Sequence, residues 1–86
     1  MAEISRFYGI IIAMFFDDHN PPHFHVKYGS YNAAILIRDF RIVEGKLPPK
    51  AIGLVMEWAA NHQDELLVDW ELTKNNKTPK EIKPLE

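Results

Sequence analysis

The sequence predicts an α+β domain, in which an antiparallel sheet of three or four strands packs against one long or broken C-terminal helix. Three observations support this class. Residues alternate between polar and apolar from His23 to Tyr28, the period expected of a strand with one buried face. The stretch from Phe7 to Phe16 is rich in β-branched and aromatic residues. Between Pro49 and Lys74, apolar residues recur at helical spacing.

The length and composition indicate one small globular domain spanning residues 1–86. A hydrophobic content of 47% with 26% charged residues argues against disorder. There is no cysteine, which excludes disulfides and cysteine metal ligands and is compatible with the cytoplasm. The longest apolar run, Gly9 to Phe16, is far shorter than the ~18–20 residues that cross a bilayer. We therefore expect a cytoplasmic protein that does not associate with membranes.

The first predicted strand, Phe7 to Phe16, follows a short lead-in, Met1 to Ser5. The strand has no polar side chain on either alternating face, so both faces require cover. The downstream helix supplies one cover. A partner or a second copy of the chain is a candidate for the other, which leaves a homo-oligomer open.

The next two strands form a hairpin. Pro21 and Pro22 stiffen the entry to His23, and Gly29-Ser30 suits a two-residue type II′ loop. The predicted register pairs Tyr28 with Tyr31, Val26 with Ala33 and Phe24 with Ile35. The outward face of this hairpin then carries His23, His25, Lys27, Asn32, Ala34, Leu36 and Arg38.

The remaining elements follow from proline, glycine and helical spacing. Arg41 to Glu44 is a candidate fourth strand, and the helix begins near Pro49. A single helix to Lys74 would be nearly 40 Å long at ~1.5 Å per residue, so we expect a break near Asn61 to Gln63. Residues 75–86 contain two prolines and three lysines and should form an extended or loosely ordered tail.

The densest motif in the chain is His19-Asn20-Pro21-Pro22-His23-Phe24-His25. With Glu44-Gly45, Glu57-Trp58 and the other short matches along the chain, it resembles the small bacterial family named domain of unknown function four-one-six-zero. The resemblance implies that members are commonly encoded beside another small family, and that some such pairs are toxin–antitoxin modules in which this family supplies the toxin. It implies a cognate antitoxin as partner, and RNA or the translation machinery as target.

The hairpin face suggests how such a toxin could act. Metal-free RNA cleavage needs a base, an acid and a cation near the reacting phosphate. Histidine suits both proton transfers because its pKa of ~6.5 lies near neutrality. Our candidate catalytic residues are His23 and His25 for proton transfer, Lys27 and Arg38 for charge stabilisation, and His19 from the preceding loop. This ribonuclease hypothesis expects no cofactor.

Three other interpretations remain open. His19, His23 and His25 have a spacing that could bind a divalent metal such as zinc, with Asp17 or Asp18 as a further ligand or a hydrogen-bonding neighbour. Alternatively, the histidines only stabilise the turn, as polar residues on an edge hairpin often do. The whole domain could also be a non-catalytic module that binds a partner through an apolar face or a sheet edge.

Overall fold

The computed structural model describes residues 2–86; Met1, the first residue of the predicted domain, lies outside this range. Over these residues the chain forms five strands and two helices. Their bounds are β1 Ala2–Phe7, β2 Ile10–Met14, β3 His23–Tyr28, β4 Tyr31–Leu36, β5 Ile42–Gly45, α1 Pro49–Asn61 and α2 Gln63–Lys74. The α+β class and the antiparallel sheet are confirmed.

The sheet is a meander whose strands follow one another in the order β1-β2-β3-β4-β5, each antiparallel to its neighbour. The predicted hairpin register of β3 and β4 is confirmed, from Tyr28 opposite Tyr31 to Phe24 opposite Ile35. Gly29 has a φ of +59°, as the first position of a type II′ turn requires. The candidate fourth strand is also present, as β5.

The predicted number of three or four strands is wrong because the stretch from Phe7 to Phe16 is not one strand. Tyr8 and Gly9 have φ values of +49° and +81°, and Phe7 pairs with Ile10 across them. Positive φ at both loop positions is the pattern of a type I′ hairpin turn. Residues 2–5, expected to be a lead-in, therefore belong to β1.

The hydrophobic core lies between one face of the sheet and the helices. Phe24, Val26 and Ile35 contribute fully buried side chains from the sheet. From α1, Trp58 is completely buried, with its ring centroid 5.4 Å from that of Phe7. The helical region is interrupted at His62, inside the predicted break, so it forms two helices rather than one.

The segment after α2 packs against the open edge of β1. The Ile82 backbone N–H donates to the carbonyl oxygen of Ile4 at 2.7 Å, and the Ile82 side chain is 3% exposed. The indole N–H of Trp58 donates to the Lys83 carbonyl at 2.9 Å. These contacts cover one edge of the sheet. Within residues 2–86, no helix has the length and apolarity needed to cross a bilayer.

Candidate functional site

Two histidines stand side by side on the face of β3 that is turned away from Phe24. Because alternate residues of a strand share a face, β3 places His23 and His25 together and turns Phe24 into the core. Their ring centroids are 5.0 Å apart. The two side chains are 15% and 25% exposed, so they are sheltered but accessible.

Asp18, in the loop that connects β2 to β3, completes a cluster with these histidines. Its Oδ2 atom lies 2.8 Å from Nε2 of His25 and 3.3 Å from Nε2 of His23. One carboxylate oxygen therefore faces two imidazole nitrogens. The sequence analysis offered Asp17 and Asp18 as equal candidates for a further ligand or hydrogen-bonding neighbour. In the structure Asp18 lies next to the histidines, and Asp17 is exposed.

The contact that the second ring nitrogen of His23 makes indicates which nitrogen carries a proton. Nδ1 lies 2.8 Å from the carbonyl oxygen of Pro21. A carbonyl oxygen only accepts hydrogen bonds, so Nδ1 must carry a proton. In a neutral ring Nε2 would then be a bare lone pair facing the Asp18 carboxylate. Favourable contact between Nε2 and Oδ2 requires a proton or a cation between them.

Distant parts of the chain hold this cluster in place. At the end of α2, the Lys74 ammonium donates to the backbone carbonyl of Asp18 and lies 5.1 Å from the centre of the Trp70 ring. Trp70 also packs on His23, with ring centroids 5.2 Å apart. The ring of Phe15 meets that of His25 edge to face, with ring centroids 4.3 Å apart. The cluster is thus held by residues of α2 and by residues of the loop between β2 and β3.

The cluster opens onto a cleft of about 330 Å³. Its walls are Asp18, His19, Asn20, Pro21, His23, His25, Ala34, Leu36, Arg38, Arg41, Val43 and Glu44. The two arginines are exposed and follow β4, on either side of the Asp39-Phe40 turn. The cleft therefore combines imidazoles and a carboxylate with nearby guanidinium groups.

The predicted site residues fall into two groups. His19, His23, His25 and Arg38 all line the cleft. His19 is exposed and is not among the atoms that converge on Asp18. Lys27 lies farther along β3, in a neighbouring groove that also touches His25.

Sequence reasoning missed four residues around the site. Arg41 and Glu44 reach the cleft because the chain reverses after β4 and returns as β5. Trp70 and Lys74 belong to α2, which is far from the histidines in the sequence. The basic residue at the last turn of α2 was a weak signal, since nothing local indicates what it would contact.

Residues 9–71 match the family described as a domain of unknown function (DUF4160). This match covers most of the chain and includes the whole histidine motif, so the chain belongs to that family. No curated protein and no solved structure gave a significant match.

Proposed function

We propose that this domain cleaves RNA at the cleft around Asp18, His23 and His25, as the toxin half of a bacterial toxin–antitoxin pair. The observation that supports this proposal is the convergence of two imidazoles and a carboxylate in an open cleft walled by Arg38 and Arg41. The toxin role comes from the resemblance to the family. The cleavage mechanism is inferred from the side chains that line the cleft.

Cleavage next to a 2′-hydroxyl requires a base for that hydroxyl and an acid for the departing 5′-oxygen. Asp18 orients His25 through Nε2, which leaves Nδ1 as its basic nitrogen, and the carboxylate stabilises the imidazolium that forms. His23, with a proton on Nδ1 and one shared with Asp18 at Nε2, is the matching acid. Each histidine therefore has a distinct role in the metal-free reaction.

The two arginines are the reason for proposing a phosphodiester as the substrate. Charge accumulates on the phosphoryl oxygens in the transition state, and a positioned guanidinium stabilises it through two hydrogen bonds at once. Arg38 and Arg41 line the cleft that contains the imidazoles, and His19 lines it too. Lys27, in the adjoining groove, is suited to hold the next phosphate of a bound strand.

Expression in a bacterial host tests this proposal. We expect wild-type protein to arrest growth and degrade RNA, and the His23→Ala/His25→Ala double variant to do neither. His62→Ala is the matched control, because this histidine pairs with Glu65 at 2.6 Å and takes no part in the cleft. It should be as toxic as the wild type. Unchanged toxicity of the double variant would remove both histidines from the mechanism.

A non-catalytic partner-binding module is the alternative, and the sheet edge favours it. The edge at β1 is covered by the segment around Ile82, whereas β5 is the last strand at the other side, and its Val43 is 50% exposed. An edge strand offers backbone groups to a partner strand. A stable, benign protein that leaves RNA intact would favour this function.

A further inference from the structure

We propose that Asp18, His23 and His25 form a binding site for a divalent transition metal of the zinc class, with Oδ2 and the two Nε2 atoms as ligands. One ligand atom from each of the three residues lies within 4.8 Å of the other two, and Oδ2 lies 3.3 and 2.8 Å from Nε2 of His23 and His25. Two neutral imidazoles and one carboxylate are a donor set that zinc uses in catalytic sites, where water or substrate fills the remaining position. The inference deepens the function proposed above, and the binding itself can be tested separately.

The distances suit an ion at the centre of the cluster. Bonds of ~2.0–2.1 Å in tetrahedral geometry separate neighbouring ligand atoms by about 3.3 Å. Nε2 of His23 and Oδ2 of Asp18 are already 3.3 Å apart. Nε2 of His25 is 2.8 Å from the same oxygen, so this pair would open by about 0.5 Å on binding.

The hydrogen bond from His23 to Pro21 is the supporting contact that metal-bound histidines usually have. A ligating imidazole donates its other N–H to a carbonyl or carboxylate, which fixes the tautomer and aims the lone pair at the ion. Here Nδ1 of His23 donates to the Pro21 carbonyl at 2.8 Å, so the lone pair of the neutral ring lies at Nε2 and faces the cluster. The ring is prepared for ligation before any ion arrives.

An ion would also relieve an electrostatic conflict in the cluster. When His23 is neutral, its Nε2 lone pair and the Asp18 carboxylate repel each other across 3.3 Å. A divalent cation between them replaces this repulsion with two metal–ligand bonds. The three side chains are 15–25% exposed, which allows an ion to enter from the cleft.

A bound ion changes the roles assigned to the histidines in RNA cleavage. Both Nε2 atoms would then be ligands, and the ion would supply the base by lowering the pKa of a bound water. The 2′-hydroxyl would lose its proton to that base as the 2′-oxygen bonds to phosphorus, and the 5′-oxygen would leave with a proton from His19. The position of His19 on the cleft wall, outside the ligand set, suits this role.

The test uses full-length protein prepared without a histidine tag and stripped with a chelator. Zn²⁺ is titrated calorimetrically, and Co²⁺ is followed by its visible absorption. We expect one ion per chain, with affinity reduced more than about 100-fold in Asp18→Asn and in His25→Gln, because loss of an outer hydrogen bond alone costs about 10–100-fold. His62→Ala and Asp17→Asn should bind like the wild type.

Failure of the wild type to bind either ion would overturn the inference, as would equal binding by Asp18→Asn and the wild type. A comparison of RNA cleavage with and without chelator separates the two proposals. Cleavage that persists in chelator overturns the metal's catalytic part and leaves the RNA function standing. Stoichiometric binding without any RNA cleavage supports the metal site and contradicts the RNA function.

Discussion

Nδ1 of His23 lies 2.8 Å from the carbonyl oxygen of Pro21, two residues before it in the chain. This contact predicts that Nδ1 keeps its proton when the ring becomes neutral, because the carbonyl offers no hydrogen in return. Nitrogen-15 NMR of the histidine rings at about pH 8 can check it, since free histidine prefers to protonate the other nitrogen. We expect the Nδ1–H tautomer for His23. A neutral ring protonated at Nε2 would contradict this geometry.

The glycines at 45 and 53 should respond to alanine in opposite directions. Gly45 has a φ of +73°, and a Cβ there would collide with the backbone carbonyl of Asn32. Gly53 lies inside α1 with nothing within 4 Å of an added Cβ. We expect Gly45→Ala to lower the free energy of unfolding by more than about 1 kcal/mol. Gly53→Ala should raise it by about 0.5–1 kcal/mol. Urea denaturation measures both, and a neutral Gly45→Ala would contradict the described β5 geometry.

The segment after α2 should contribute to stability through Ile82. This side chain is 3% exposed and packs in the main core. Truncation to Ile82→Ala should therefore lower the free energy of unfolding by about 2–5 kcal/mol. Lys83→Ala is the neighbouring control, because that side chain is exposed and its backbone carbonyl still accepts from Trp58. Equal effects of the two substitutions would mean that the segment is not held as described.

Asp69 should make stability depend on pH. Its Oδ1 accepts the Lys80 backbone N–H at 2.8 Å, whereas Oδ2 is buried without a hydrogen-bond partner among residues 2–86. Burial is the main cause that raises the pKa of this carboxyl above its usual 3.8. The folded chain thus holds the proton to higher pH than the unfolded chain, and folding loses stability as pH rises above about 3.8 through the raised pKa.

Comparison with Asp69→Asn isolates this effect, because the amide cannot ionise. The free energy of unfolding of the wild type, minus that of Asp69→Asn, should fall as pH increases from about 3.8 and level off once Asp69 is ionised in the folded state. Urea denaturation over a pH series gives this difference. A constant or rising difference would show that burial does not disfavour the ionised form of Asp69 in the folded state.

Local patterns in the sequence predicted the hairpin at the centre of the site. Alternation placed His23 and His25 on one face, and Gly29 marked the turn that sets the register. The break in the helical region was also predictable, because a continuous helix would overhang so small a domain. These features depend on residues that are close in sequence. They could therefore be predicted from the sequence alone.

Non-local contacts and an unusual turn could not be predicted. Tyr8-Gly9 lacks the Asn-Gly or Asp-Gly signal of a type I′ turn, so the sequence predicted one strand from Phe7 to Phe16 and only a lead-in before it. The choice of Asp18 over Asp17 depends on the path of the connecting loop. Lys74 reaches the Asp18 carbonyl from 56 residues away, a contact that no local pattern encodes.

The most direct measurement is the cleavage of an RNA substrate by purified wild-type protein, Asp18→Asn and Asp17→Asn. The two substitutions are chemically identical and adjacent in sequence, but only Asp18 contacts the histidines. We predict cleavage by the wild type and Asp17→Asn, and loss of cleavage in Asp18→Asn with the fold intact by circular dichroism. Equal cleavage by all three proteins, or none by the wild type, would contradict the account.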